Sequence, residues 1–125
     1  MNQLQKFSDL KAALARLKEG VSTAKTELDR DGVIQRFEFT FELVWKVIKE
    51  FGTYKGVEVA SPRDSFRVAG ELGIVDNPTI WFDFLKDRNL STHLYSEKDA
   101  QDIFSHIPSF ITETETLISK IEQTV

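Results

Sequence analysis

Residues 88–95, Arg-Asn-Leu-Ser-Thr-His-Leu-Tyr, gather a fixed cation, an amide, one of the chain's two histidines and one of its two tyrosines. Helix packing needs none of these groups. Arg88 follows Phe84 and Leu85 by four and three residues and Trp81 by seven, so its side chain emerges on the apolar face of its helix. Two readings stand for such an arginine. It snorkels or pairs with a neighbouring carboxylate, Asp83 or Asp87, or its rigid fork of N–H donors holds an anion such as a phosphate. Five residues on stands His93, and histidine is the side-chain type suited to proton transfer near neutral pH. On one continuous helix Arg88 and His93 would point about 140° apart. They converge only where the helix ends between them or where two copies of the segment meet. Tyr95 reads as a plug of a helix junction, its hydroxyl tied to backbone.

The elements that position this segment are helical. Phe7, Leu10, Leu14, Leu17, Val21, Ala24 and Leu28 alternate spacings of three and four, the seam of one long helix. Asp31-Gly32 is the expected break before a second helix that ends at Gly52. That helix carries Ile34, Phe37, Phe41, Val44, Trp45, Ile48 and Phe51 on one arc and Phe39, Leu43 and Val47 on another. A helix with two apolar faces needs two partners, so Phe39, Leu43 and Val47 are expected to meet a second copy or another protein. Its polar stripe, Gln35, Glu38, Glu42, Lys46 and Lys49, reads as a salt-bridged wet face.

Residues 53–60 read as a loop. Ser61-Pro62-Arg63-Asp64 starts a short helix as N-cap, N1 proline and acidic N3 residue. That helix buries Phe66, Ala69 and Leu72 and stops at Gly73. Asn77-Pro78 starts another, and Ser96-Glu97-Lys98-Asp99 has the form of a capping box with Asp in place of Glu. The last helix shows a stripe of Ile103, Phe104, Ile107, Phe110, Ile111, Leu117, Ile118 and Ile121, with Pro108 off it and His106 read as solvated. The expected fold is all-α: one domain over residues 1–125, an antiparallel up-and-down, four-helix-bundle-like assembly of three long and two short helices.

Composition bounds the chemistry. With no cysteine, disulfides and thiolate metal sites are excluded. Glu38 and Glu42 have no Glu-x-x-His partner, so no di-metal centre and no metal or other cofactor is expected. A net charge of −4 argues against non-specific nucleic-acid binding but allows a local phosphate site. No apolar run approaches the roughly 18 residues that span a bilayer. The first residues lack the pattern of a signal peptide, so a cytoplasmic protein is expected. Arg63 and Arg67 align at i,i+4: either they extend an anion site or they pair with Asp64 and Glu71.

The run from Ile34 to Lys46, together with Ser61-Pro62-Arg63 and Trp81, resembles the signature of the nucleotidyltransferase substrate-binding protein family. Arg88-Asn89-x-x-x-His93-x-Tyr95 resembles the motif of the HEPN superfamily, which contains it. The resemblance covers nearly the whole chain. It implies a homodimeric helical bundle without transferase activity of its own, like the helical domain of kanamycin nucleotidyltransferase. It also implies a separate minimal nucleotidyltransferase of the DNA polymerase β type as partner, with a nucleotide or RNA as further ligand. Arg63, Arg67 and Trp81 are then candidates for ligand binding. The alternative it implies is a metal-independent endoribonuclease toxin. There Arg88 and His93 form the catalytic pair with Asn89 in support. Tyr95 is the residue that the transferase adenylylates to silence the toxin.

Overall fold

The computed structural model describes residues 4–93 and 96–124. It contains five helices: α1 (Phe7–Thr23), α2 (Glu27–Tyr54), α3 (Pro62–Glu71), α4 (Pro78–Ser91) and α5 (Glu97–Thr124). Side-chain pairing fixes their directions. The Lys6 N–H reaches Glu50, and Arg36 reaches the carbonyl of Arg16, so α1 and α2 are antiparallel. Lys11–Glu122 and Lys18–Glu115 set α5 antiparallel to α1. Ser91–Glu38 with Arg88–Glu42, and Asp87–His106 with Phe84–Phe110, set α4 antiparallel to both α2 and α5. The result is the expected up-and-down four-helix arrangement, with α3 as an added short helix.

The first junction differs from expectation. The helix does not run through Leu28 to a break at Asp31-Gly32; it stops at Thr23. Thr26 then opens α2 with a capping box, its hydroxyl accepting from the Asp29 N–H and the Asp29 carboxylate accepting from the Thr26 N–H. Two orphan N–H groups satisfied together outweigh the continued apolar spacing. Leu28 is accordingly 80% exposed, and Gly32 lies inside α2. That helix also passes Gly52 and ends at Tyr54.

The other caps form as their residues suggest. Ser61 accepts from the Asp64 N–H, Asn77 from that of Thr79, and Ser96 from that of Asp99. Gly73 takes a positive φ of 78° just past α3, where a side chain would be strained. Gly70 allows the close approach of α4: a Cβ there would lie 2.7 Å from Pro78 Cγ.

The core is aromatic at its centre. Phe110 of α5 meets Phe37 at 4.9 Å, Phe84 at 5.3 Å and Trp81 at 5.8 Å between ring centroids. Phe66 of α3 stacks on Trp81 at 5.2 Å. Edge-to-face and offset contacts of this kind add to the area they bury. The core therefore pins α3, α4 and α5 onto α2 and sets the height at which α4 ends. Among the described residues, no helix is long and apolar enough to cross a membrane.

Candidate anion-binding site at the end of α4

Arg88 occupies the last turn of α4 and points inward as its spacing predicted. Its guanidinium lies over the Phe41 ring, 5.3 Å from the centroid. Its counter-charge is neither Asp83 nor Asp87. Nη1 stands 3.9 Å from Glu42 Oε2 of α2, the outer limit of an ion pair, and Nε is buried with no hydrogen-bond acceptor among the described residues. The ring holds the cation in place, and its Nη groups, which make no hydrogen bond among the described residues, remain as donors for an anion.

The last turn of α4 is tied to the same stripe of α2. The Ser91 hydroxyl donates to Glu38 Oε2 at 2.6 Å and sits 2.9 Å from the Arg88 carbonyl. Glu38 and Glu42 are one helical turn apart, so one face of α2 holds both the helix end and its cation. The wet-face reading of that stripe holds for Glu42 and Lys46, 3.5 Å apart, and fails for Glu38, which α4 half covers. Sequence reasoning missed Glu38, Glu42 and Ser91 as site residues. The available signal was the pair of carboxylates at i,i+4 facing an inward arginine.

The helix ends at Ser91, between Arg88 and His93, as convergence on one chain requires. Thr92 and His93 form a turn in which the His93 N–H reaches the Leu90 carbonyl at 3.2 Å, and the imidazole is exposed. Asn89 is exposed too, and its carbonyl accepts from the Thr92 hydroxyl. Tyr95, the expected modification site, lies outside the described residues.

Asp87 turns the other way. Its carboxylate meets His106 Nδ1 of α5 at 2.9 Å, so His106 is a tether rather than merely solvated. Desolvation raises the Asp87 pKa above the usual carboxylate range although His106 pulls it down.

The other expected ligand residues do not assemble. Trp81 is 1% exposed, stacked within the core. Arg67 is taken up by Asp64 and Glu71, each at 2.6 Å. The Asp64 carboxyl is lowered by the Ala60 N–H and then by Arg67. Arg63 lies over Phe82 at 4.7 Å. Leu43 and Val47 are buried in the chain's own core, because α2 wraps more of its circumference with α1, α3, α4 and α5 than two apolar arcs suggested. They leave Phe39, 62% exposed, as the only solvent-facing member of the expected interface trio.

Solved structures share this architecture. A crystal structure of a Thermus thermophilus protein superposes with a TM-score of 0.83 at 33% identity, covering 89% of this chain and 97% of that one. A Haemophilus influenzae protein, described as revealing the fold of a substrate binding domain of a nucleotidyltransferase, has the same fold. Its TM-score is 0.76 at 21% identity over 93% of this chain and 98% of its own. The Haemophilus influenzae protein named probable ribonuclease HepT is 26% identical over 97 residues, which span 74% of this chain and 66% of that protein's length. Residues 5–123 match the family described as nucleotidyltransferase substrate binding protein like, and the chain belongs to that family.

Proposed function

We propose that this chain is the binding subunit of a two-component system whose catalytic half is a separate minimal nucleotidyltransferase, and that Arg88 marks where an anionic group docks. One observation carries the reading. The guanidinium of Arg88 is fixed over Phe41 while its counter-ion contact stays at 3.9 Å and its Nη groups make no hydrogen bond among the described residues. Arg30 and Arg67, by contrast, each place a guanidinium nitrogen within 3 Å of a carboxylate. A phosphate bearing several acceptor oxygens would engage the Arg88 donors. The test is co-purification with the genomic-neighbour transferase, then ATP addition and mass spectrometry. A stable complex with one adenylyl group added at Tyr95 supports the reading. Absence of both complex and modification overturns it.

A second reading, a metal-independent endoribonuclease, is favoured by the end of α4 at Ser91, which frees His93 from the helix carrying Arg88. In this reading a homodimer brings two such ends together. His93 takes the proton of a ribose 2′-hydroxyl. That oxygen forms a bond to phosphorus as the bond to the 5′-oxygen breaks, leaving a 2′,3′-cyclic phosphate. Arg88 stabilises the charge that gathers on the phosphoryl oxygens, and a protonated imidazole from the second copy supplies the leaving oxygen's proton. Asn89 supports the turn. Adenylylation of Tyr95, two residues after His93 in sequence, by the transferase partner would silence the activity. RNA cleavage in chelator, absent with a deoxyribose at the scissile position and lost in His93→Ala, supports this reading. Cleavage unchanged in His93→Ala refutes it.

A further inference from the structure

Arg88 has a neighbour that faces the other way. Asp87 leaves α4 on the side of α5, and its carboxylate meets His106 Nδ1 at 2.9 Å. We infer that Asp87 and His106 form a proton-operated clamp. The charge on the imidazole sets how firmly the last turn of α4, and Arg88 with it, is held against α5.

The geometry is that of a clamp. The contact joins two helices across 19 residues of chain. The Asp87 side chain is 15% exposed and that of His106 53%, so packing fixes one partner while the other stays open to protons from solvent. On α4 the contact lies one residue before Arg88 and four before Ser91. The end of α4 is held from two sides, by Ser91–Glu38 on α2 and by Asp87–His106 on α5. The backbone of α5 is weakened close by, because Pro108 has no N–H to donate to the Phe104 carbonyl. The cavity around the pair is lined by residues of α4 and α5, and its other charged groups are Asp83 and Lys86, both of α4. On α5, Asp102, one turn before His106, is taken up by Lys98 at 3.1 Å.

The contact has two strengths. A neutral imidazole offers Asp87 only a neutral donor. A charged one makes an ion pair, and hydrogen bonds of that kind are about twice as strong. Desolvation and the nearby Asp83 both weigh against the Asp87 charge, and an imidazolium offsets them. Between about pH 5.5 and 8 histidine is the side-chain type that changes charge, and the chain has two, His93 and His106. The clamp is firm at the acidic end of that range and looser at the basic end. It stands on this contact alone. That it also makes anion docking at Arg88 depend on pH rests on the function proposed above.

The test is hydrogen exchange on the full chain by NMR across that pH range, with intrinsic rates divided out. The amides of Arg88, Asn89, Leu90 and Ser91 are compared with those of Leu14 and Leu17 in α1. The end of α4 should be about threefold better protected at the acidic end, with no matching change in α1. His106→Gln and Asp87→Asn keep a hydrogen-bonding side chain without the ion pair and should abolish the difference. His93→Gln removes the other histidine and should leave it. Sulfate, whose charge is constant over this range, is then titrated in the His93→Gln protein. It should bind about threefold more tightly at the acidic end, a gain lost on adding Asp87→Asn, which leaves the imidazole in place. The clamp is overturned when protection of α4 does not change with pH, when the change survives His106→Gln, or when His93→Gln alone removes it. The expected exchange pattern without sulfate binding at any pH supports the clamp and refutes the anion site at Arg88.

Discussion

Replacing Glu42 by glutamine tests whether the Arg88 site is built to accept an anion. The substitution keeps shape and hydrogen-bonding capacity and removes one negative charge 3.9 Å from Nη1. Two unit charges at that separation attract by about 1 kcal/mol in water and about 4 kcal/mol at the effective dielectric of a protein surface. Glu42 is 39% exposed and Arg88 23% exposed, and Glu42 also faces Lys46 at 3.5 Å. Solvent screening and the shared partner place the effective interaction at the low end, about 0.5–1 kcal/mol. An incoming phosphate must compete with that attraction. Glu42→Gln should therefore tighten phosphate binding about two- to fivefold, while Arg88→Gln abolishes it. The readout is the Arg88 Nη–H resonances during a phosphate titration at fixed ionic strength, since these donors make no hydrogen bond among the described residues of the free protein. Equal or weaker binding in Glu42→Gln would show that Glu42 helps hold the anion's receptor in shape and is not its competitor.

Four further outcomes follow from the packing. Ser91→Ala should cost about 1–2 kcal/mol in urea unfolding, because it leaves the half-buried Glu38 carboxylate without the 2.6 Å hydroxyl contact; an unchanged midpoint would refute that anchor. Trp81→Ala should cost about 3–5 kcal/mol by the same assay, the response of a core aromatic; loss of ligand binding at full stability would restore Trp81 as a ligand residue. Gly32→Ala should raise stability by up to about 1 kcal/mol, since Gly32 lies inside α2 with open space where the Cβ would go; destabilisation would argue that α2 begins after it. Asp87 has a folded pKa raised by desolvation, so the folded state binds its proton more tightly than the unfolded chain does. This group's destabilising effect is present at neutral pH and is relieved as pH falls through the folded pKa toward about 4. Asp87→Asn should flatten that part of the stability–pH curve measured by denaturant titration, and an identical curve would refute it.

Most of the architecture was legible because its signals are local. Ser61-Pro62, Asn77-Pro78 and Ser96-x-x-Asp99 each place a side-chain acceptor opposite an orphan N–H a few residues away, and each cap forms. The α1–α2 junction was misread for the same kind of reason. Thr26-x-x-Asp29 carried a complete box, but the apolar spacing through Leu28 was weighted above it. The inward direction of Arg88 followed from Trp81, Phe84 and Leu85. Its partner did not, because Asp83 and Asp87 were near in sequence while Glu42 becomes near only when α4 docks on α2. The fate of His106 is similar: nothing local pairs it with Asp87 across 19 residues. The second apolar arc of α2 was real as a pattern, but how much of it the chain's own helices cover depends on packing that periodicity does not encode.

The Ser91–Glu38 contact bridges 53 residues, and with Glu42 it makes the environment of Arg88 the property of two helices. The arginine–histidine segment is therefore not a portable cassette. Transplanted onto another helical scaffold, residues 88–93 would carry their letters but not their ring and carboxylates. The smallest unit that could be moved, or shuffled between relatives by recombination, is α2 together with α4. Chimeras that cross between those helices should lose the site even when both parents have it.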